Sequence, residues 1–251
     1  MDLCVKKFEE LPDKPDWGVI ESFVGFGNIN APVVFVGMEE GLADPLYLGN
    51  DLRCRSVFDQ VMDVKVGHSK LGLGPELFAK KPRAQPTWRG IADIMLHFEG
   101  DVPVDKKERA IARRRYRTTM LGNKIGESLL VDVFPYPHQN RKQWLYAGLS
   151  RFKTREEYEA ALVDDRLALL REAIEAHKRE AVICYGHELW DVYKLLFPKV
   201  TDWRKRDHCL CANWKGANVT LCNHFTWRGL NQDWQLDELA SIVFRGQNGG
   251  R

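Results

Sequence analysis

The chain has 251 residues, and 37 Lys and Arg residues against 35 Asp and Glu residues give it a formal net charge of +2. Its 44% hydrophobic and 29% charged residues are typical of a globular protein and exclude a disordered chain. The nearly balanced charge excludes a protein that coats DNA through bulk charge, but it leaves local contact with nucleic acid open.

The sequence has no segment typical of a membrane or secreted protein. No apolar run reaches the ~18 residues that a membrane span needs. The first residues, MDLCVKKFEELPDKPDW, lack the apolar core of a signal peptide. The cysteines form no CxxC pair, and the spacing of His208, Cys209, Cys211 and His224 fits no common zinc or iron–sulfur pattern. We therefore expect a cytoplasmic protein with reduced thiols, no membrane contact and neither metal nor cofactor.

The predicted elements alternate between strands and helices along the chain. The first strand is the apolar run Pro32–Gly37. A long irregular segment, Leu42–Pro86, follows it, and then an amphipathic helix over Trp88–Phe98. A second irregular segment, Gly100–Arg117, leads to the second strand, Leu129–Phe134. Irregular segments of this length are usually functional or disordered.

The second half of the chain continues the alternation. A helix is predicted over Thr154–Glu180, where Thr154 and Glu157 form a capping box. The remaining predicted elements are, in order, the strand Ala181–Tyr185, the helix His187–Phe197, the strand Val219–Cys222 and the helix Leu236–Phe244. All four strands are apolar without alternation, which favours a parallel sheet covered on both faces. The sequence thus predicts an α/β protein with three αβα layers and a central four-stranded parallel sheet. It predicts one domain over residues 1–251, with a core over about residues 31–245.

Polar residues follow all four predicted strands. In an open parallel sheet, ligands bind at the carboxyl ends of the strands, so these residues predict a pocket. The segments are Gly37-Met38-Glu39-Glu40-Gly41, Asp132 with Phe134 to Arg141, Gly186-His187-Glu188, and Asn223 to Gly229. Carboxylates and a His can orient a water, stabilise a developing cation and donate to a leaving group.

The same segments contain aromatic residues that could stack on a flat ring, namely Phe225, Trp227, Tyr136, Tyr47 and Phe58. A flat ring held between aromatics and hydrogen-bonded by Asp or Asn describes a nucleobase pocket. Backbone N–H groups near Gly37 and Gly41 could meet a phosphate or a carbonyl oxygen.

The motifs FVGMEEG, VDVFPYPHQN, ICYGHELW and CNHFTWRG, in this order, resemble those of the uracil-DNA glycosylase superfamily. The similarity is greatest to its single-strand-selective monofunctional and mismatch-specific branches, and it covers roughly residues 31–230. Glu39 stands where the first motif has Asn or Asp, and Glu40 stands in place of its Pro. Asp132 replaces the Asn that reads the base, and His224-Phe225-Thr226 replaces the late His-Pro-Ser loop. The cysteine spacing of the iron–sulfur branch is missing.

The resemblance implies a DNA N-glycosidic hydrolase of base-excision repair that acts on a flipped base, with DNA as the partner. Glu39, with Glu40, would orient water or stabilise the cation, His224 would hydrogen-bond the departing base, and Asp132 would read the base edge. Trp227 and Arg228 would contact the phosphate backbone or fill the gap in the helix. The other expected substrate contacts are Gly37, Met38, Gly41, Phe134, Asn140, Phe225 and Thr226, with Phe58 or Tyr47 stacked on the base.

Asp132 limits which base could be read. An ionised Asp would suit a base that presents donors, such as an exocyclic amine. A protonated Asp could also donate, but that requires a raised pKa.

Other interpretations remain open from the residues alone. Glu39 and Glu40 could cap a helix after the first strand, and His224 could be a structural His. The run containing Arg113, Arg114 and Arg115 could contact phosphates or form a solvated helix face. The protein could also be a non-catalytic binder of nucleobases or nucleic acid, an enzyme acting on free nucleosides or nucleotides, or an unrelated α/β protein.

Overall fold

The computed structural model describes residues 11–42, 44–73, 77–79, 85–226 and 229–244. Its strands are β1 (Gly25–Gly27), β2 (Val33–Gly41), β3 (Val61–Met62), β4 (Ser128–His138), β5 (Ala181–Tyr185), β6 (Arg204–Arg206), β7 (Cys209–Trp214) and β8 (Ala217–Cys222). Its α-helices are α1 (Trp17–Ser22), α2 (Leu48–Arg55), α3 (Val64–Lys70), α4 (Pro86–Glu99), α5 (Lys106–Thr119), α6 (Arg155–Glu175), α7 (Trp190–Leu196) and α8 (Asp233–Val243). Short 3-10 helices, Pro45–Tyr47 and His187–Leu189, precede α2 and α7.

The strands form one mixed eight-stranded sheet in the order β3-β1-β4-β2-β5-β8-β7-β6. The four strands predicted from the sequence are its central strands β4, β2, β5 and β8, and each pair of neighbours among them is parallel. The predicted four-stranded parallel sheet is therefore too small. The pairs β1–β4, β8–β7 and β7–β6 are antiparallel, and β3 pairs parallel to β1.

The outer strands lack the sequence signals of the central ones. β1 and β3 are three and two residues long, and all residues of β6 are exposed. The β7–β8 hairpin turns at Lys215 and Gly216, which both have positive φ (51° and 88°). Such a pair of φ values suits a two-residue hairpin turn, which matches the twist of the strands it joins.

Helices cover both faces of the sheet, as the predicted layers require. Side chains of β2 alternate between the two faces. Val34 and Val36 pack in one core with α6 residues such as Leu162. Val33 and Phe35 pack in the other core with α4 and α8. Because both faces are buried, the central strands are mostly apolar and show no alternation between apolar and polar residues.

The helices differ in extent from their predicted ranges. Thr154 caps α6 by accepting a hydrogen bond from the Glu157 amide at 3.2 Å, but the Glu157 carboxylate accepts from the Lys153 amide, so the capping box is incomplete. The helix ends at Glu175 rather than Glu180. The predicted irregular segments contain α2, α3 and α5, and Asp105 caps α5 by accepting from two backbone amides. Among the described residues, no helix is both long and apolar enough to cross a membrane.

Candidate functional site

The topology of the central sheet indicates where a ligand would bind. Taken in chain order, the central strands lie in the order second, first, third, fourth (β4-β2-β5-β8). The chain therefore reverses its direction of winding between β2 and β5. In doubly wound sheets, the crevice at this switch point, outside the carboxyl ends of the strands, is the usual ligand site. Gly37 of β2 and Tyr185 of β5 lie at this place.

Gly37 leaves room for two polar side chains to meet above the sheet. A Cβ atom at position 37 would lie 2.3 Å from Asp132 Oδ1 and 2.5 Å from the Tyr185 hydroxyl. Gly37 and Asp132 are register partners in β2 and β4, whereas Tyr185 belongs to β5 on the other side of β2. The Tyr185 side chain therefore crosses β2 over Gly37, and its hydroxyl lies close to the Asp132 carboxyl. Glycine permits this close approach because it has no side chain.

These polar groups lack partners within the protein. Among the described residues, neither the Asp132 carboxyl nor the Tyr185 hydroxyl has a hydrogen-bond partner, and both residues are half-buried. His224, after β8, packs edge-on against Tyr185 with ring centroids 5.3 Å apart. Its buried Nδ1 also has no partner in the described chain. Buried polar atoms such as this Nδ1 are nearly always paired. With the half-buried Asp132 and Tyr185 beside it, the group suits a polar ligand at the switch point.

The protonation states follow from burial and from neighbouring charges. Burial, with the nearby charges of Glu40 and Glu39, raises the pKa of Asp132 to about 7. Burial also raises the pKa of Tyr185 well above its usual value, so its hydroxyl keeps its proton. Burial lowers the pKa of His224, which favours the neutral ring. At neutral pH the site thus contains a carboxyl that exchanges its proton, a hydroxyl donor and a neutral imidazole.

Glu40 belongs to a buried charge network beside this site. Its carboxylate accepts a hydrogen bond from Arg55 Nη1 at 2.8 Å and lies 3.5 Å from His68 Nε2. Burial raises the pKa of Glu40, but Arg55 and His68 outweigh it and the pKa lies below its ordinary value. The His68 ring packs against Phe26 and Trp88. Glu40 is therefore a fixed negative charge near Asp132.

Glu39 is held by a different helix and differs from its predicted role. Arg155, the first residue of α6, donates to both of its carboxylate oxygens at 2.9 and 3.2 Å. His138 Nδ1 lies 3.5 Å from the same carboxylate, and the Glu39 side chain is 8% exposed. Because one guanidinium occupies both oxygens, Glu39 joins β2 to α6 and is not free to orient a water. Neither Glu39 nor Glu40 caps a helix, since both lie within β2.

Most of the predicted stacking residues are in the core. Phe58 is buried among Phe23 and Phe26, and Tyr136 is buried and stacks on Tyr158. Phe134, predicted as a substrate contact, is also buried against Tyr158. Their faces are covered by protein, which leaves no room for a base. Phe225 is also buried, but it packs against Tyr185 and so supports the site from behind.

The remaining predicted contacts lie near the surface or outside the described residues. Tyr47 is 64% exposed, and Gly41 and Asn140 are also exposed. Met38 and Thr226 are half-buried, and Met38 packs against the core on the α6 side. Trp227 and Arg228 lie outside the described residues.

The basic run does not form a uniform phosphate-binding face. Arg113 is buried and donates to Asp93 at 2.5 Å and to Asp233 at 2.8 Å, so it joins α5 to α4 and α8. This corrects its predicted contact with nucleic acid. Arg114 and Arg115 are exposed on the other side of α5.

A cluster beside Arg113 has the spacing of a metal site. Single ligand atoms of Asp93, His97 and Asp237 lie within 4.8 Å of one another. Arg109 Nη2, however, lies 2.6 Å from Asp93 Oδ2 and 2.5 Å from Asp237 Oδ1. The guanidinium therefore takes the place that a cation would occupy.

Four residues of the site were not selected from the sequence, namely Tyr185, Arg55, His68 and Arg155. Tyr185 had a detectable signal, because it is the last residue of a predicted strand and precedes Gly186 at the binding edge. The other three lie on helices, and no local motif connects them to the strand ends.

Comparisons with known proteins do not identify a family. No protein-family model matches the chain, and a search of curated proteins finds no significant relative.

Proposed function

We propose that the chain is a uracil-DNA glycosylase-like protein that hydrolyses an N-glycosidic bond to a base extruded from DNA. The observation that carries this proposal is the group formed by Asp132, Tyr185 and His224 at the switch point, whose polar atoms have no partners among the described residues. A nucleobase is a flat ring with several donors and acceptors at its edge, and it would satisfy such a group.

The electrostatics of Asp132 support base reading. An Asn amide both donates and accepts, whereas an ionised carboxylate only accepts. Because the pKa of Asp132 is raised to about 7, a substantial share of the carboxyl is protonated at neutral pH. In that form it offers one donor and one acceptor, as an amide does. The replacement of Asn by Asp in the second motif is therefore compatible with reading a base that presents an acceptor.

In the proposed reaction, the bond between the sugar carbon and the base nitrogen breaks, and the base leaves with the bonding electrons. Protonated Asp132 and the His224 ring stabilise the departing base by hydrogen bonds. Glu40, held as a carboxylate by Arg55, stabilises the positive charge that develops on the sugar. A water then adds to the sugar carbon, and the proton that it loses ends on the departed base, which becomes neutral. Glu39, paired with Arg155, has no direct part in these steps.

The test is a single-turnover assay for abasic sites. Single- and double-stranded oligonucleotides carrying uracil, hypoxanthine or xanthine would be offered to the wild type, Asp132→Ala and His224→Ala. We expect cleavage by the wild type and a loss of at least ~100-fold in each variant, which is the usual size of an acid–base contribution. His208→Ala is the matched control, because His208 is exposed on the β6–β7 turn. No cleavage of any oligonucleotide by the wild type would refute the DNA glycosylase proposal.

A second candidate is an enzyme or binder that takes free nucleosides or nucleotides in the same site. The burial of Arg113 favours it, because the basic run then offers fewer side chains to a DNA backbone. Release of base from free nucleosides, or binding of free bases without any cleavage, would support this candidate against the first.

A further inference from the structure

We propose that Tyr185 determines specificity in this site by donating a hydrogen bond from its hydroxyl to an acceptor atom on the ligand ring, next to the atom that contacts Asp132. The inference rests on the proposed function, because it assigns a role within the proposed base-binding site.

Tyr185 is half-buried and packs against the core on the α4 side of the sheet. Its ring packs against His224 and Phe225, with centroid distances of 5.3 and 5.4 Å, and these contacts fix the ring plane. The hydroxyl extends over Gly37 towards Asp132. Its neighbour Tyr193 differs, because the Tyr193 hydroxyl donates to the Tyr185 carbonyl oxygen at 2.9 Å. The hydroxyl of Tyr185 has no such partner among the described residues, so its proton is available to a ligand.

The absence of a side chain at residue 37 is the second observation. Any other residue there would place a Cβ within 2.3–2.5 Å of the two oxygens of Asp132 and Tyr185. The structure therefore brings two unpaired polar groups together over bare backbone. A ligand with two adjacent polar atoms at its edge could contact both oxygens at once.

The chemistry of Asp132 and Tyr185 predicts which edge of a base the site prefers. The tyrosine hydroxyl keeps its proton near neutral pH and is an effective donor. It favours a ring carbonyl over an exocyclic amine at the same ring position. Sites built to hydrogen-bond one substrate group discriminate strongly against analogues that lack it, because the buried partner is left unpaired.

The test measures binding of free bases by calorimetry at pH 7. The probes are the pairs uracil and cytosine, and hypoxanthine and adenine, which differ by oxo or amino at one ring position. We expect the wild type to bind the oxo base at least tenfold more tightly in each pair. We expect Tyr185→Phe to weaken binding of the oxo bases about tenfold and to change binding of the amino bases about twofold at most, which corresponds to the loss of one hydrogen bond.

Tyr116→Phe is the matched control. Tyr116 is buried on α5 in the core between α4 and the sheet. The Tyr116→Phe variant should lose some stability and keep its preference for the oxo bases. Thermal unfolding of each variant identifies any that fail to fold, and Tyr185→Trp, which retains a ring N–H donor, provides a second test by keeping part of the preference.

The outcomes separate the two proposals. If the wild type prefers oxo bases and Tyr185→Phe keeps the same preference, the role of Tyr185 is refuted while the proposed function stands. If the wild type binds the amino bases as tightly as the oxo bases, Tyr185 is not a selective donor. If it binds none of the four bases and cleaves no oligonucleotide, both proposals fail together.

Discussion

Gly37→Ala tests the geometry on which the candidate site depends. The added methyl group would lie 2.3 Å from Asp132 Oδ1, 2.5 Å from the Tyr185 hydroxyl and 2.9 Å from Tyr185 Cζ. Contacts this short require the tyrosine ring and the carboxyl to move. The ring is packed against His224 and Phe225, so it cannot move freely.

The expected cost is that of overpacking a well-filled site, ~1–3 kcal/mol of unfolding free energy. Gly41→Ala is the matched control. Gly41 ends the same strand, is exposed, and has nothing within 4 Å of where its Cβ would be. Its replacement should change stability by ~0.5 kcal/mol or less.

Urea unfolding measures both variants. The double variant Gly37→Ala with Tyr185→Ala identifies the cause, because removing the tyrosine ring removes part of the clash. The double variant should then lose less stability than the sum of the two single variants by at least ~0.5 kcal/mol. A Gly37→Ala protein as stable as Gly41→Ala, with base binding intact, would show that the Asp132–Tyr185 arrangement is wrong.

Three further predictions concern buried charges. The pKa of Asp132 is raised to about 7 in the fold, so folding favours its protonated form. Compared with Asp132→Asn, the wild type should lose ~2–4 kcal/mol of unfolding free energy as pH rises from about 4 to about 7, measured by urea titrations, and a flat difference would contradict the shift. Asp93→Asn should cost ~3 kcal/mol in the same titrations, because it removes the buried carboxylate that Arg109 and Arg113 share and leaves them only the more exposed Asp237 and Asp233. Arg155→Met should cost a similar ~3–5 kcal/mol by leaving Glu39 unpaired, and adding Glu39→Gln should recover part of it. Equal stability of the single and double variants would refute that pairing.

The central sheet could be predicted from the sequence because burial on both faces makes each strand a continuous apolar run. The same rule located the binding edge only in part, since His224 lies beyond the end of β8, whereas Gly37 and Asp132 lie within β2 and β4, which continue to Gly41 and His138. The outer strands could not be found in this way. A strand of two residues such as Val61–Met62 has no periodicity to detect, and its existence depends on its neighbour in the sheet.

The spacing of the arginines in the basic run carries information that their number does not. Arg109, Arg113 and Arg117 are spaced four residues apart, which places them on one face of a helix. All three are buried, whereas Arg114 and Arg115 between them are exposed. The spacing could have separated structural arginines from exposed ones. Their carboxylate partners could not have been identified, because Asp233 lies 120 residues away from Arg113.

The two consecutive glutamates show why the roles of charged residues at a strand end depend on the fold. Glu39 is paired with Arg155 of α6, and Glu40 with Arg55 of α2, so helices distant in sequence hold the end of β2. Asp132 is different, because Arg166 Nη2 donates to its backbone carbonyl at 2.8 Å and leaves the carboxyl unpaired. Each glutamate thus has its own arginine, and burial together with the charges of the two glutamates raises the pKa of Asp132, whose carboxyl has no such partner. The two glutamates of the motif FVGMEEG therefore affect the pKa of Asp132 through their charges, and neither of them is the acid of the candidate site.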